Sequence, residues 1–425
     1  MLNIAYIKEE IKDQYLLDNK PWIIGFSGGK DSTALLQIVW HALRDLPKEQ
    51  LKKEVHVVCN DTLVENPKIV QWIDTNLERI RFQAEKEGLP IIVAKTTPEL
   101  DDSFWVNLIG KGYPTPNNSF RWCTERLKIN PTTKYIKQQI SQKGEVIILL
   151  GTREDESANR KRSIKKFQIA NQRLRRHIEL DLAYIYAPIK HLEINELWQY
   201  LLQIPSPWNG SNRDLITLYK NGSSADCPLV IDSSTQSCGQ SRFGCWVCTV
   251  VKRDKSMESL IENGEENLLP LLDLRDWLVE NRDKDEYRMM RLRNGGQGKG
   301  PYNIETRTYL LKRLLEAQQT SGEKLISTQE LKAIQIIWNM DGFNRNVYEV
   351  FYEVYGIQNN FPMSKKDNLK QLQQDELVKI CNQNGIKPDS LIALVKAEKD
   401  KKLMSKKLNM QQIIENTIKE SVTER

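Results

Sequence analysis

Histidine is nearly absent: His41, His56, His177 and His191 are the only four in 425 residues. No two are spaced as a helical metal-binding pair, so any metal site must lean on sulfur. Long apolar runs are missing too. No stretch approaches the roughly 18–20 apolar residues of a membrane-spanning helix, and the opening MLNIAYIKEEIKDQYLLDNK is too charged for a targeting signal. The expectation is a cytoplasmic chain with no membrane partner. Its thiols then sit in a reducing compartment, as core residues, metal ligands or catalytic groups rather than disulfides. Charge of one sign is also lacking: 62 Lys and Arg against 56 Asp and Glu leave a net +6, which permits an anionic partner without requiring one. With 40% hydrophobic and 28% charged residues, the composition is globular, and the length suits two or three domains.

The first 150 residues alternate short apolar runs with longer amphipathic ones. Trp22–Phe26, Val55–Cys59, Ile91–Ala94 and Val146–Leu150 read as buried strands, short and rich in β-branched residues. Between them Ser32–Leu43, Ile69–Glu87 and Asn130–Gln142 carry helical stripes. Such alternation predicts an α/β fold with a doubly wound, mostly parallel sheet. A run at Tyr184–Ile189 and a helix over Glu193–Leu202 complete that first domain, 1–255, which includes a Cys-rich loop at 222–250. Residues 205–250, rich in Pro, Ser, Gly and Asn, read as a structured loop region. Residues 256–425 read as a mainly helical C-terminal region, with helices at Leu268–Asn281, Arg307–Thr320 and Thr328–Met340.

Function concentrates where the first strand ends. Ser27-Gly28-Gly29-Lys30-Asp31-Ser32-Thr33 joins it to a helix. Two glycines let the backbone approach a ligand with no Cβ in the way, and the amides of the helix N-terminus favour an anion. Ser27 and Ser32 add hydroxyls, Lys30 a point charge, and Asp31 either a ligand for Mg²⁺ or a helix cap. A Walker A loop is ruled out, because Asp31 follows Lys30 where Ser or Thr is needed and the first glycine is out of place. At the end of the second strand, Asp61 and Thr62 should face the same crevice. The plainer reading of that segment is a turn whose Asp and Asn cap the next helix. After the fourth strand, GTREDESANR offers Arg153 and Arg160, which suit bidentate pairing with phosphate or sulfate oxygens, or else simply begin a solvated helix. Residues 160–176 then hold eight Lys or Arg and no acid. They read as a helix packing by Phe167, Ala170 and Leu174 and offering its charge to a phosphate backbone.

Four of the seven cysteines crowd into 22 residues. Cys238, Cys245 and Cys248 put three thiols in one loop, and Cys227 precedes them. Cys123 stands far upstream in FRWCTERLK as a distant fourth ligand. Four thiolates suit structural zinc or a [4Fe–4S] cluster. Cys59 reads as core and Cys381 as structural.

SGGKDS resembles the PP-loop of the ATP pyrophosphatases. Together with the GTREDESANR segment and SCGQSRFGCWVCTVVKRDKS, it is similar to the phosphoadenylylsulfate (PAPS) reductase-like family. More narrowly, the chain resembles the DndC-like sulfurtransferases of DNA phosphorothioate-modification systems. The resemblance covers about the first 260 residues; RNGGQGKG at 293–300 also fits it. It implies an adenine nucleotide alpha hydrolase-like fold and an ATP pyrophosphatase and sulfurtransferase that releases AMP and pyrophosphate. It implies ATP and Mg²⁺ held by Ser27, Gly28, Gly29, Lys30, Asp31, Ser32, Asp61, Thr62 and Arg153, with Lys30, Asp31, Arg153 and Arg160 catalytic. A [4Fe–4S] cluster would be held by Cys123, Cys238, Cys245 and Cys248, with Cys227 in reserve. DNA, a cysteine desulfurase as sulfur donor and other Dnd modification proteins are the implied partners. The competing expectations are a PAPS reductase-like oxidoreductase, disfavoured by the lack of a cysteine in the tail IKESVTER, a tRNA thiolase, and a non-catalytic nucleotide-binding subunit.

Overall fold

The computed structural model of the chain describes residues 2–154, 172–221, 244–292, 296–343, 345–357, 378–381 and 383. Arg160, Cys227, Cys238 and most of the basic run therefore lie outside the described residues.

The order of elements begins α1 (Leu2–Leu16), β1 (Trp22–Gly25), α2 (Lys30–Arg44), β2 (Val55–Asn60), α3 (Pro67–Glu87) and β3 (Ile91–Thr96). It continues with α4 (Asn130–Lys143), β4 (Val146–Leu149), β5 (Leu174–Arg176), β6 (Ala183–Tyr186), α5 (Ile194–Gln203) and α6 (Asn212–Asn221). Among the described residues these strands form one six-stranded sheet in the order β3-β2-β1-β4-β6-β5. All neighbours are parallel except β5, which runs antiparallel to β6. The α/β class and mostly parallel sheet expected from strand–helix alternation are what the chain adopts.

Burial explains the strand sequences. Trp22–Gly25 and Val146–Leu149 are buried throughout because helices cover both faces of the central strands. One face packs under α1, α2, α3 and α5, with Ile24, Val57, Leu149, Leu35 and Trp40 in a common core. The other face packs Ile23, Val58 and Ile148 against Ile136 of α4. β3 departs from the expectation of a strand covered on both faces. It is an edge strand, with Ile92 42% exposed. Helix ends follow local chemistry. Asn66 caps α3 by accepting from the Lys68 amide at 3.0 Å, and Gly88 closes it in a left-handed conformation. Glu193 and Glu196 close a reciprocal box at the start of α5.

Two local expectations need correction, and one element had no expectation at all. α1 was not anticipated; its buried Ile7, Ile11 and Tyr15 recur at helical spacing beneath a charged outer face. The stretch after 205, read as loop, contains α6, whose Leu215 reaches the first core. Leu174, assigned to the apolar edge of a basic helix, begins β5 instead, and pairing of β5 with β6 overrides the local helical pattern there.

Beyond residue 255 the described elements are helical: α7 (Lys255–Glu262), α8 (Leu269–Asn281), α9 (Ile304–Ser321), α10 (Thr328–Met340) and α11 (Val347–Tyr355). Their apolar faces do not close on themselves alone. They share a core with Val64, Phe104, Trp105, Val106, Leu108, Ile109, Trp122, Leu127, Trp246 and Val247 from the part of the chain before residue 255. Among the described residues no helix is long and apolar enough to cross a membrane.

Candidate functional site

The phosphate-loop segment sits at the carboxyl end of β1, the central strand, where open parallel sheets bind ligands. Phe26 extends the strand by one hydrogen bond to the Val58 carbonyl at 2.9 Å, and the chain then turns. Gly28 takes φ +73, and a Cβ there would stand 2.5 Å from the Trp72 ring. Glycine is required on both counts. The turn is braced from within. The Ser32 hydroxyl donates to the Gly29 carbonyl at 3.0 Å and accepts from the Ser27 amide at 3.3 Å, while the two serine hydroxyls lie 3.2 Å apart. Gly29, the N-cap of α2, has no side chain, and its amide donates to the Ser27 hydroxyl at 3.4 Å, so the positive end of the helix dipole lies at the turn. Lys30, Asp31, Ser32 and Thr33 are all buried.

Arg153 enters from the segment after β4. It is 3% exposed and reaches Asp31, Nε to Oδ1, at 2.5 Å, with Nη1 on the Leu192 carbonyl at 3.3 Å. The other Asp31 oxygen lies 3.1 Å from Lys30 Nζ. A buried carboxylate held between two cations is thus the electrostatic centre of the turn. Gly151 allows that approach, because a Cβ there would meet the Asp31 carbonyl at 2.8 Å. Sequence reasoning placed Arg153 near the phosphates; the structure places it on Asp31, two residues of the expected site brought together across 122 positions.

Asp61 and Thr62 face different ways. Asp61 accepts from the Leu63 amide at 2.8 Å and pairs with Lys95 at 2.8 Å. Lys95 also holds Asp74 at 2.8 Å. Asp61 therefore stabilises the turn after β2, in which Leu63 is forced to φ +63. The capping half of the plainer reading belongs to Asn66. Thr62, fully buried, points its hydroxyl at the thiol region, 3.3 Å from Cys245 Sγ and 3.4 Å from Glu65.

That contact joins the two halves of the expected site. Cys245 pairs with Glu65 in an antiparallel bridge, the Trp246 amide donates to the Val64 carbonyl at 3.0 Å, and the Asn66 amide donates to Gly244 at 3.3 Å. The C-x2-C turn is thereby stitched to the loop that follows β2. Trp246 drives it home: it is 2% exposed and packs 5.8 Å from Trp105, whose indole nitrogen donates to the Leu325 carbonyl. Below the turn Arg275, 1% exposed, donates to the carbonyls of Cys248 at 3.1 Å, Lys252 at 2.8 Å and Val251. The Thr249 hydroxyl donates to Pro116 at 2.5 Å, in the loop that leads to Cys123.

Burial pushes the Cys245 thiol up to about 12; Lys128 opposes this, and Glu65 and Cys123 reinforce it. Cys123 and Cys245 are thus electrostatic neighbours, with Cys248 one turn on. Glu65 is raised to about 7, chiefly by burial, with Lys128 opposing and Asp61 reinforcing. Among the described residues no group of three or more Cys, His, Asp or Glu side chains is gathered to hold a metal ion. Cys123 and Cys245, which act on one another, are donors of the type that a zinc ion or an iron–sulfur cluster takes. Cys59 is buried in the sheet core and its thiol is raised above its usual range by burial, in keeping with a core role. Sequence reasoning missed Glu65, Lys95, Trp246 and Arg275. Only Trp246, a lone aromatic inside the C-x2-C spacing, carried a usable signal.

The family model described as phosphoadenosine phosphosulfate reductase domain matches residues 21–251, from β1 through the C-x2-C turn. The chain belongs to that family. The PAPS reductase domain thus takes in the phosphate turn, Arg153 and the Cys245–Cys248 loop together. An uncharacterised protein of Methanocaldococcus jannaschii is 28% identical over 199 residues, 47% of this chain and 35% of that protein. The chain therefore matches about a third of that curated relative's length. Similar solved structures include a PAPS reductase from Candida auris, 13% identical with a TM-score of 0.31, covering 52% of this chain and 93% of that one. The U34-tRNA thiolase NcsA from Methanococcus maripaludis, solved with its [4Fe–4S] cluster, is 15% identical with a TM-score of 0.31, over 66% and 79%. The NH3-dependent NAD synthetase from Campylobacter jejuni is 14% identical with a TM-score of 0.30, over 68% and 96%.

Proposed function

We propose that this PAPS reductase-family chain is an ATP pyrophosphatase and sulfurtransferase that activates a DNA backbone phosphate and exchanges one of its non-bridging oxygens for sulfur, as a DndC-like protein. The observation that carries the reading is the stitching of the Cys245 turn to the loop that leaves the carboxyl end of β2, the strand beside β1, whose own carboxyl end bears the glycine turn.

In this reading the α2 N-terminus, Ser27, Ser32 and Lys30 bind the β and γ phosphates of ATP. As Lys30 turns to the phosphates, Asp31 keeps Arg153 and gains an oxygen for Mg²⁺. A non-bridging oxygen of the DNA phosphate attacks the α-phosphorus, and pyrophosphate leaves with its charge held by the turn. The resulting mixed anhydride makes that oxygen a good leaving group. Attack by hydrosulfide at the DNA phosphorus expels AMP and leaves phosphorothioate with no net redox change. If the sulfur arrives as a persulfide from a cysteine desulfurase, a second thiol completes its release and a disulfide forms. Cys123, Cys245 and Cys248, with Cys238, would hold a [4Fe–4S] cluster, which when bound supplies iron for carrying sulfur. Arg160 joins the phosphate-binding set, and the other Dnd modification proteins deliver sulfur and DNA.

The test is anaerobic incubation with α-labelled ATP, DNA, a desulfurase and cysteine. AMP, pyrophosphate and nuclease-resistant linkages are expected, and Lys30→Ala should lose all three. ADP and orthophosphate as products would refute the enzyme class. The family match favours one second reading, reduction of a sulfonucleotide; thioredoxin-dependent sulfite release from PAPS, without ATP cleavage, would establish it instead. Thiolated tRNA in place of modified DNA would move the same chemistry to a base.

A further inference from the structure

A cleft of about 480 Å³ opens between α1, α2 and α5, on the helical layer away from the thiol turn. Its floor is formed by Ile38 and His41 of α2 and Tyr200 of α5, with Ile4 and Ala5 of α1 on one wall and Ile204 on another. That size is ordinary for a small-molecule site. His41 follows Lys30 by eleven residues on the same helix, about 16 Å along its axis, so the cleft is separate from the phosphate turn.

Its floor carries one hydrogen-bonding atom with nothing to bond and a phenol beside it. His41 Nε2 is buried without a partner, and the Tyr200 hydroxyl has only the amide of Gln37, which does not line the cleft, to turn to. Tyr200 is 7% exposed and Gln37 fully buried. Gln37 and His41 stand four residues apart on α2, hence on one face. Buried polar atoms are satisfied in the great majority of native positions, so the unpaired His41 nitrogen beside the Tyr200 phenol marks a place where something else supplies a bond.

We propose that this cleft binds a small uncharged molecule with an apolar ring and a carboxamide-like edge that both donates and accepts. The charges at the rim are already spoken for: Lys8 pairs with Asp45 at 2.7 Å, and Glu196 accepts from Asn3 at 2.7 Å and from the Glu193 amide at 3.0 Å. Burial, then Arg44 and Lys8, lower the affinity of His41 for a proton, against the opposing pull of Asp45 and Glu87. Neutral imidazole, phenol and amide offer donors and acceptors but no net charge, which disfavours an ion. The aliphatic walls supply the contact area for a ring.

Titration of the full chain with benzamide, followed by saturation-transfer NMR and calorimetry, tests this. One saturable site is expected, unaffected by ATP with Mg²⁺, and benzoate should bind at least tenfold more weakly. Tyr200→Phe and His41→Leu should each weaken benzamide at least tenfold, and Ala5→Trp, which fills the cleft, should abolish binding. Unfolding curves verify that each variant is folded; a variant that does not fold leaves the other two to decide. No saturable binding, equal affinity in the folded variants, displacement by ATP, or a crystal soaked in benzamide that shows ordered water alone in the cleft would overturn the proposal.

Discussion

Replacing Gly151 by alanine probes the seam between β4 and the phosphate turn by geometry alone. The Cβ would stand 2.8 Å from the carbonyl carbon and oxygen of Asp31 and 3.0 Å from the Ser32 nitrogen. These are backbone atoms in the first turn of α2, with no rotamer through which to escape. Ordinary contact begins at 3.4 Å, so the two segments must part by about 0.6 Å. Overpacking of this kind costs about 1–3 kcal/mol. A shift of about 0.6 Å also carries a donor set at about 2.9 Å from a phosphate oxygen out to about 3.5 Å, the edge of hydrogen-bonding range. Since misplacement by about 1 Å costs on the order of a hundredfold, nucleotide affinity should fall by roughly 10- to 50-fold. Calorimetry with a non-hydrolysable ATP analogue and urea unfolding measure the two effects separately. Gly144→Ala is the control. Its φ is +84 and nothing lies within 4 Å of the added Cβ, so it should lose about 1–2 kcal/mol of stability and no affinity. Wild-type affinity in Gly151→Ala would refute the reasoning that this close approach positions the phosphate turn.

Arg275→Met leaves the carbonyls of Cys248, Val251 and Lys252 without their buried donor and should cost about 2–4 kcal/mol in urea unfolding, whereas Arg253→Ala, at an exposed pair with Glu258, should change little. Burial pushes the Tyr15 hydroxyl, which donates to the Lys53 carbonyl at 2.9 Å, up to about 12 from 10.0. A raised folded-state value stabilises the protein below pH 10 and is lost as pH rises toward 12. Stability should therefore drop by roughly 3 kcal/mol across that window, and Tyr15→Phe should flatten that limb. Leu63→Gly removes a left-handed non-glycine residue at a half-exposed site. Unfolding in urea should show a net gain of roughly 0.5–1 kcal/mol after the entropy of glycine is set against the relief of strain.

The sheet was legible because buried parallel strands read as short, β-branched runs, and β1, β2 and β4 satisfy that rule on both faces. β3 obeyed it in sequence yet lies at an edge, since a strand's neighbours are not written in its own residues. The glycine turn after β1 was legible because Gly28 and its flanking residues follow a local backbone requirement. Arg153 was picked out as a cation near the turn, but its partner Asp31 is set by the crossing of β4 beside β1, which local spacing does not encode. The run at 160–176 illustrates the opposite failure. Leu174 fits a helical stripe, and only pairing with β6 decides against it.

The thiol region resisted reading for a different reason. The Cys245–Cys248 turn belongs by sequence to the α/β half, but its anchors are Trp246 in the second core and Arg275 of α8. The same core takes Phe104 and Trp122, neighbours of the turn that bears Cys123, in a stacked pair 5.3 Å apart. The phosphate turn, by contrast, rests on the sheet and α2. The two sets of residues meet chiefly along 62–66, where one short loop passes from the end of β2 to the thiols. Thr62, Val64 and Asn66 all bond or pack toward the 244–257 segment, while Asp61 ties the loop's base to Lys95 on the sheet. A change in how the C-terminal helices pack must therefore reach the thiols directly and the Gly28 turn through this loop and through α3, whose Lys68 pairs with Glu265 at 2.7 Å and whose Trp72 abuts Gly28. That ordering follows from which core holds each anchor, and it is why the helices after residue 255 are part of the site's architecture rather than an appendage to it.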